Sequence, residues 1–454
     1  MSFSDLTFIF YILPAAVALH ALAPMRMRNA VLFALSMAIY AYGGGLACAS
    51  LLLAVIVSHY ALARSMARAR RGARRALVSL ALCADFALLL YFKYRGVLFP
   101  APTSVFAAAL PLGISFYLFQ STAYLIDVFR GAPAAQRFFD YAAFISAFPQ
   151  LTMGPILRYS SWQSALRTRV VRRADLEQGF ERFVIGLGYK VLLADPLSSL
   201  WAALVRIGFS YISTPLAWLG AAGYSLQLYF DFAGYSLMAM GLGQMLALPI
   251  PRNFETPYAS RSVSEFYRRW HITLGAWFRD YVYIPLGGSR NGAGRTVLAL
   301  SVVWLLTGVW HGSSLNFLLW SATLLALILL EKFFLHPHLS RHRVLSHAYL
   351  LFVIVQTWVI FRITDLGQLG AYFARLYPFF GRGSASNSAD FARYFSEYWW
   401  LLALGVLFAS PYPRRFFEQR RAKPLVWLLL FAVFWASVYL LAAGSGSPFL
   451  YHNF

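Results

Sequence analysis

The chain has 454 residues and a formal net charge of +22, yet only 12% of its residues are charged and 60% are hydrophobic. A soluble globular protein is roughly 45–50% apolar and about 25% charged, so the composition excludes a soluble domain and indicates a polytopic membrane protein. Its arginines cluster between apolar runs, which is typical of cytoplasmic loops and of contact with anionic membrane lipids. Nucleic-acid binding is therefore not expected.

The predicted elements are apolar runs near the length of about 20 residues that a membrane helix needs. The first run lacks a basic leader and a cleavage site, so we expect a retained span rather than a signal peptide. Residues 215–249 form a run long enough to be broken or kinked. The candidate spans are residues 7–23, 30–44, 46–63, 76–92, 108–128, 183–209, 215–249, 296–311, 314–334, 346–362, 398–411 and 424–443.

Basic blocks orient these spans. They occupy residues 26–28, 64–75, 158–182, 252–295 and 414–423. Placing every block in the cytoplasm gives about twelve crossings and puts both termini on the outer side.

Residues 140–157 form an apolar run with basic flanks at both ends, so they cannot cross in that scheme. Pro149, Gly154 and Pro155 lie within the run and predict a re-entrant segment. Irregular backbone at membrane depth needs cover by protein or by a water-filled cavity. This segment is the first sign of an internal cavity.

Residues 261–284 are predicted to form an amphipathic helix, because apolar and aromatic side chains recur there every three to four residues. Ser262 and Glu265 form a capping-box pattern at its start, and Pro285 ends it. His271 falls on the apolar stripe of this helix.

Three arginines, Arg268, Arg269 and Arg279, lie close to His271 on the same segment. One interpretation is an interfacial helix whose arginines contact phosphate headgroups. The other is a helix that lines a cytoplasmic entrance, where arginines bind an anionic donor such as the phosphates of coenzyme A. The pattern leaves both interpretations open.

His311 stands in an otherwise apolar span, in the sequence Trp310-His311-Gly312. A titratable side chain is costly within a bilayer, so it indicates a functional site facing a cavity or the bundle interior. The alternative is a histidine that only bonds a neighbouring helix.

Gln227 and Asp231 also lie in an apolar span, one helical turn apart on one face. Asp231 could orient a histidine, pair with an arginine, or serve as a buried structural hydrogen-bonding group, which is the interpretation we prefer. The cysteines Cys48 and Cys83 predict neither a disulfide nor a metal site. The histidines between residues 336 and 347 lack a completing ligand pattern, so no metal is expected there.

Five stretches together resemble the membrane-bound O-acyltransferase family, in its bacterial alginate O-acetylation branch. They are Pro111–Gln120, Phe148–Arg158, Gln227–Tyr235, Asn253–Ser289 and Thr307–Gly312. The resemblance implies a single integral-membrane domain over residues 1–454, with a signature core at about 110–320. The implied fold is all-α, a ring of about 11–12 tilted transmembrane helices, with re-entrant and interfacial helices around a central tunnel in a bacterial inner membrane.

The resemblance implies that His311 is the central catalytic residue and His271 the second signature position. A neutral imidazole in an apolar tunnel can act as a general base on a hydroxyl, which is the role expected of His311. His271 would position the donor or the acceptor, or stabilise charge on the thioester carbonyl. The candidate tunnel and donor-binding residues are Trp310, Arg268, Arg269, Trp270, Arg279, Asp231, Gln227 and Gln150. Acetyl-coenzyme A is the expected donor, with no bound cofactor.

The tail at residues 444–454 follows the last predicted span and is expected to lie outside the membrane. It resembles a short aromatic motif of the same branch, with Tyr451 at the tyrosine position. Tyr451 could accept the acyl group at His311 and pass it to a separate extracytoplasmic acyltransferase that modifies a polysaccharide. The alternative is an interfacial aromatic anchor.

The chain departs from the branch pattern at two positions, where Leu237 follows Ser236 and Leu315 stands near the Trp-His-Gly block. Other acyl groups or acceptors, such as D-alanyl transfer or peptidoglycan O-acetylation, therefore stay open. A transporter would predict repeated halves with discontinuous helices, and the sequence has no such internal symmetry.

Overall fold

The computed structural model describes residues 2–98, 110–339, 341–378, 389–444 and 446–450. In these ranges the regular structure is helical, and β-pairing is limited to one isolated antiparallel bridge between Phe254 and Trp270. The predicted all-α class is confirmed.

Helices α1–α20 follow in chain order. They are α1 Leu13–Leu22, α2 Arg28–Arg68, α3 Arg71–Leu98, α4 Ile114–Phe129, α5 Phe138–Ser146, α6 Tyr159–Trp162, α7 Ala165–Thr168, α8 Arg173–Gly188, α9 Asp195–Ile207, α10 Thr214–Met245, α11 Val263–Arg269, α12 Ile272–Phe278, α13 Gly292–His311, α14 Leu315–Leu330, α15 His336–Leu339, α16 Arg343–Arg362, α17 Leu366–Leu376, α18 Asp390–Ala409, α19 Tyr412–Arg420 and α20 Pro424–Ala442. π-Helical turns at Phe8–Ile12, Tyr189–Ala194, Arg279–Tyr283 and Glu331–Leu335, and a 3-10 turn at Pro257–Ala259, extend or join them.

Seven helical stretches in the described part of the chain are long and apolar enough to cross a membrane. They are Arg28–Arg68, Arg71–Val97, Arg173–Ile207, Gly292–His311, Leu315–Leu335, Arg343–Arg362 and Pro424–Ala442. The last of these exposes large apolar side chains such as Leu428 and Phe431, as a lipid-facing helix does. A multi-pass membrane protein is confirmed.

Helix α2 is a hairpin of two helical arms. Phe33 and Tyr60 both pack on the ring of Phe138, with centroids 6.1 and 5.5 Å away, whereas a straight helix would separate them by about 40 Å. The chain reverses at Gly45, whose φ of 82° and ψ of 164° lie outside the helical region and suit a residue without a Cβ. Both basic ends of the hairpin therefore lie on the same side, as the predicted spans 30–44 and 46–63 require.

The two ends of the described chain meet on one tyrosine. The ring of Phe3 stacks on Tyr235 at 4.9 Å, and the ring of Phe449 packs edge-on against it at 5.2 Å. These side chains line a small pocket together with Tyr40 and Gly43, which lie next to the turn of the α2 hairpin. Both ends therefore lie opposite the basic ends of that hairpin.

Residues 140–157 do not form a span. Helix α5 ends at Ser146, and turns continue through Met153. Almost every residue of the run is buried. The phenol of Tyr235 and the hydroxyl of Thr152 share a hydrogen bond of 2.5 Å, which ties this irregular segment to α10.

Helix α10 is continuous from Thr214 to Met245, so the break considered for residues 215–249 is absent. Paired glycines bring α10 against α8. A Cβ built on Gly186 would lie 2.5 Å from the carbonyl oxygen of Gly234, and one built on Gly241 would lie 2.4 Å from that of Gly179. Small residues at helix contacts permit such close backbone approach.

We expect Gly186→Ala to destabilise the protein by about 1–3 kcal/mol, because the new methyl group must push α8 away from α10. The measurement is the thermal midpoint in detergent. Gly370→Ala is the matched control, since a Cβ there meets nothing within 4 Å. Equal midpoints for the two variants would contradict the close helix contact.

Candidate active site

The segment predicted as one helix over residues 261–284 is two helices, so that prediction is wrong. The chain breaks at Trp270, which is extended, and at His271, which has a φ of 47° and a ψ of 53°. The cause is a short antiparallel pairing of backbone with residues 253–255. The amide of Glu255 donates to the carbonyl of Arg269, and the amide of Ile272 donates to the carbonyl of Asn253, each at 3.0 Å.

The predicted capping box is half formed. The hydroxyl of Ser262 accepts a hydrogen bond of 3.0 Å from the amide of Glu265. The carboxylate of Glu265, however, accepts from the amide of Arg261 at 2.9 Å and not from that of Ser262. Helix α11 therefore starts where predicted, with one of the two expected contacts.

The side chain of His271 is held by Asn253. Its Nδ1 lies 3.2 Å from the Asn253 Oδ1 atom, which also accepts from the Thr273 amide at 3.2 Å and from the Thr273 hydroxyl at 3.0 Å. A backbone amide can only donate, so Asn253 Oδ1 is an acceptor and Nδ1 of His271 carries the proton. Among the residues that the structure describes, none bonds the buried Nε2 of His271.

Burial also fixes the charge of His271. Desolvation lowers the pKa of this imidazole to about 3, because the charged form is disfavoured away from water. His271 is therefore neutral at physiological pH. Its Nε2 then bears a lone pair and can accept a hydrogen bond.

His311 ends helix α13 inside a cage of aromatic rings. Trp310, Trp320 and Phe361 present edge-to-face contacts with centroids 4.6, 5.0 and 5.1 Å from the imidazole. The imidazole is buried, and its Nδ1 has no hydrogen-bond partner. Nδ1 therefore gives no support to the alternative in which His311 bonds a neighbouring helix.

Both histidines line one cavity of about 200 Å³. On α13 the lining side chains recur on a single face, from Leu300 through Trp304 and Thr307 to His311. That stretch of helix is about 16 Å long. The cavity is therefore elongated, with His311 at one end of the α13 face.

The other end of the cavity is basic. Arg279 lines it, and the guanidinium of Arg279 donates to the Asp280 carboxylate at 2.8 Å. The same carboxylate pairs with Arg158, and Arg130 donates to the Asp280 carbonyl at 3.2 Å. The side chain of Arg279 remains 61% exposed, so it can also meet an anion.

The predicted cavity residues are only partly brought together. His271, His311, Trp270 and Arg279 line the cavity. Trp310 lies beside it and packs on His311. Asp127 accepts hydrogen bonds from Tyr281 at 2.9 and 3.0 Å, close to the basic end.

Two predicted arginines lie elsewhere. Arg268 is exposed, and Arg269 pairs with Glu265 at 2.7 Å. Arg269 lines a separate polar pocket of about 660 Å³. Arg268 and Arg269 do not line the cavity, because the break at His271 turns α11 away from α12.

Three predicted tunnel residues, Asp231, Gln150 and Gln227, are buried in the helix bundle away from the cavity. Asp231 pairs with Lys190 at 2.8 Å, so its partner is a lysine and not the histidine or arginine considered from the sequence. Gln150 donates to the Phe144 carbonyl at 2.8 Å. Gln227 is buried in α10, and none of the three lines the cavity. Tyr451 lies outside the described residues.

Sequence reasoning missed two residues beside the histidines. Asn253 holds His271, and Lys93 donates to the carbonyl of Trp310 while its ammonium lies 5.0 Å from the centre of the Trp310 ring. A lone lysine at the end of the apolar run 76–92 was the available signal for Lys93. The only signal for Asn253 was its place at the start of the matching stretch Asn253–Ser289.

No group of three histidine, cysteine, aspartate or glutamate side chains in the described ranges is arranged to hold a metal ion. His347, one of the histidines considered from the sequence, instead has its Nδ1 2.9 Å from the carbonyl oxygen of Ser260. The cavity thus offers imidazoles, aromatic faces, hydroxyl-bearing side chains and one guanidinium as its chemical groups.

We expect the stability gained from neutral His271 to be fully present above about pH 6.5 and to be lost as the pH falls toward 3. The unfolded chain binds a proton below about pH 6.5, whereas the folded imidazole stays neutral down to about pH 3, so acid favours unfolding.

The test compares parent and His271→Asn, since asparagine tolerates a positive φ. Their stability difference should shrink by up to about 1.4 kcal/mol per pH unit between about pH 6 and pH 4, as measured by thermal midpoints. A constant difference for His271→Asn would contradict the buried neutral state.

The chain is similar to a known protein family and to several of its members. Residues 98–366 match the model of MBOAT, the membrane-bound O-acyltransferase family. The chain is 34% identical to the Pseudomonas putida protein "Probable alginate O-acetylase AlgI", over 100% of both chains. It is 31% identical to the Helicobacter pylori "Peptidoglycan O-acetyltransferase", over 70% of this chain and 67% of the relative.

A third relative is less similar to this chain. The chain is 28% identical to the Bacillus subtilis "Teichoic acid D-alanyltransferase", over 49% of this chain and 59% of the relative. All of the cavity-lining residues, from Tyr267 to Trp358, fall within the range that matches the family model.

Proposed function

Because the chain belongs to the membrane-bound O-acyltransferase family, we propose that it is an O-acetyltransferase serving an extracytoplasmic polysaccharide. The chain is an acyltransferase, and its most similar relatives among those above are named for O-acetylation. The donor is a cytosolic thioester, acetyl-coenzyme A. The acetyl group crosses the membrane through the cavity.

The observation that carries the proposal is the convergence of two buried imidazoles on one elongated cavity with a basic end. An extended thioester suits this shape. Its anionic end meets Arg279, while its narrow arm follows the α13 face to bring the thioester to His311. The aromatic cage keeps water from the reacting atoms.

His311 acts as general base in this scheme. It takes the proton from the acceptor hydroxyl as the hydroxyl oxygen attacks the thioester carbonyl carbon. A C–O bond forms and the C–S bond breaks, and the electron pair leaves with sulfur. The imidazolium then returns the proton to the thiolate, which departs as the free thiol.

His271 has the positioning role in our proposal. Its proton is engaged by Asn253 and its Nε2 carries a lone pair, so a neutral His271 accepts a hydrogen bond from substrate. Stabilising negative charge would require a donor at Nε2. Of the two roles open from the sequence, the geometry therefore favours positioning of the donor or the acceptor.

Acetyl fits the cavity better than D-alanyl. An aminoacyl group carries an ammonium, and buried charges need a partner. The lining residues include Arg279 but no carboxylate, so an ammonium would have no opposite charge to pair with there. The uncharged acetyl group has no such requirement.

The α2 hairpin supports one orientation of the chain in the membrane. With its basic ends in the cytoplasm, the pocket at Tyr40 and Gly43 faces outward, and it holds both Phe3 and Phe449. This supports an orientation with both termini on the extracytoplasmic side, and we place the protein in a bacterial inner membrane. Tyr451 then receives the acetyl group as a phenyl ester and offers it to a separate extracytoplasmic acyltransferase.

We expect His311→Ala to lower acetyl transfer and thioester hydrolysis by at least about 10²-fold, the usual contribution of a general base. The assay follows labelled acetyl-coenzyme A with purified protein. His347→Ala removes a histidine that lies outside the cavity and should retain parental turnover. Parental turnover in His311→Ala would refute its role as the base.

Tyr451→Phe keeps the size of the side chain and removes the hydroxyl that would carry the acetyl ester. We expect loss of polymer acetylation in cells, while the purified variant still hydrolyses acetyl-coenzyme A. Tyr439→Phe, on an exposed tyrosine of α20, is the matched control. Full polymer acetylation by Tyr451→Phe would rule out the relay.

A further inference from the structure

A buried charged cluster lies outside the cavity and joins three helical segments. The ammonium of Lys190 is 2.7 Å from the carboxylate of Asp195 and 2.8 Å from that of Asp231. All three side chains are at most 4% exposed. One cation between two carboxylates leaves a formal charge of −1, which is costly in an apolar interior unless further donors satisfy it.

Those donors come from the C-terminal tail. The hydroxyl of Ser447 donates to Asp195 at 2.5 Å, and the amide of Leu450 donates to Asp231 at 2.9 Å. Lys190 in turn donates to the carbonyl of Pro448 at 3.2 Å. Each charged group of the cluster thus contacts the tail, and mostly through backbone atoms.

The aromatic residue of this tail segment completes the contact. The ammonium of Lys190 lies 4.6 Å from the centre of the Phe449 ring, a cation–π distance. Phe449 is 3% exposed. The segment is therefore seated in the bundle, unlike an interfacial anchor that would lie along its surface.

Helix α10 links the seated tail to the catalytic cavity. Asp231 and Tyr235, four residues apart on one face, contact Leu450 and Phe449. The neighbouring Phe232 packs edge-on against His271 at 4.8 Å. A single turn of α10 therefore has the tail on one side and His271 on the other.

We propose that Lys190, Asp195 and Asp231 form a docking site that holds residues 446–450 against α10, the helix whose Phe232 packs on His271. The three charged residues act as positioning residues. The positioning role rests on the proposed relay through Tyr451, whereas the docking itself does not.

Docking is tested by thiol labelling of the full chain. Cys48 and Cys83, the only two cysteines, are replaced by alanine, and Leu450→Cys adds a reporter that keeps the backbone amide bonded to Asp231. Ser447→Ala removes a hydrogen bond to a buried charge, so we expect the reporter to react about tenfold faster with a charged maleimide.

Matched variants isolate the contact. Ser437→Ala removes a buried hydroxyl that bonds only the Val433 carbonyl within α20, and the reporter should react at the parental rate. Ser447→Thr keeps the hydroxyl and should restore slow labelling. A Ser447→Ala reporter that reacts as slowly as the parent would overturn the docking site.

Positioning is tested by the fate of the acetyl group. With labelled acetyl-coenzyme A, mass spectrometry gives the acetylated fraction of the tail peptide relative to total thioester consumed. We expect this ratio to fall about tenfold in Ser447→Ala and to recover in Ser447→Thr. Faster labelling with an unchanged ratio would overturn the positioning role.

The two proposals fail separately. If Tyr451→Phe retains full polymer acetylation, the relay is wrong, yet the labelling rates still decide whether the tail docks. If labelling is independent of Ser447 while Tyr451→Phe abolishes polymer acetylation, the relay stands and the docking site is wrong.

Discussion

The close approach of helices α8 and α10 determines the position of the other parts of the site. Glycines at corresponding positions of both helices let the two backbones meet, which a larger side chain would prevent. That approach brings Lys190, two residues past the end of α8, to Asp231 in the middle of α10. It also fixes the turn of α10 that contacts His271 through Phe232. The packing of two helices thereby sets both the buried charges and the position of the ring that packs against His271.

Local sequence patterns and the large energetic cost of charge in a membrane were enough to predict the helical class and one catalytic candidate. Apolar runs predicted the helical membrane class, and the cost of a titratable group in a bilayer singled out His311. The two arms of α2 were also predicted, because a basic block stands at each end. Backbone hydrogen bonds and ion pairs between residues far apart in the sequence could not be predicted. The break at His271 comes from backbone pairing with residues 253–255, and the lysine partner of Asp231 lies 41 residues away.

The two histidines differ in how they are held. His271 is fixed by an asparagine that has three donors on one oxygen, and its left-handed backbone places it at the end of a broken helix. His311 has aromatic rings around it and no partner at Nδ1. The fixed His271 suits the alignment of a substrate. His311, which is held by the packing of the rings around it, suits the exchange of a proton. Such a division would be hard to infer from two histidines in similar apolar surroundings.

The saturated oxygen of Asn253 has a consequence for how protons move. His271 cannot exchange its tautomer, because its Nδ1 proton has a fixed acceptor, and so it cannot hand protons along a chain as a relay histidine does. Under the proposed chemistry, the proton that His311 removes leaves on the departing thiol. Each turnover is then proton-neutral inside the membrane. Acyl passage would need no conducting path to either aqueous compartment and would leave the transmembrane proton gradient intact.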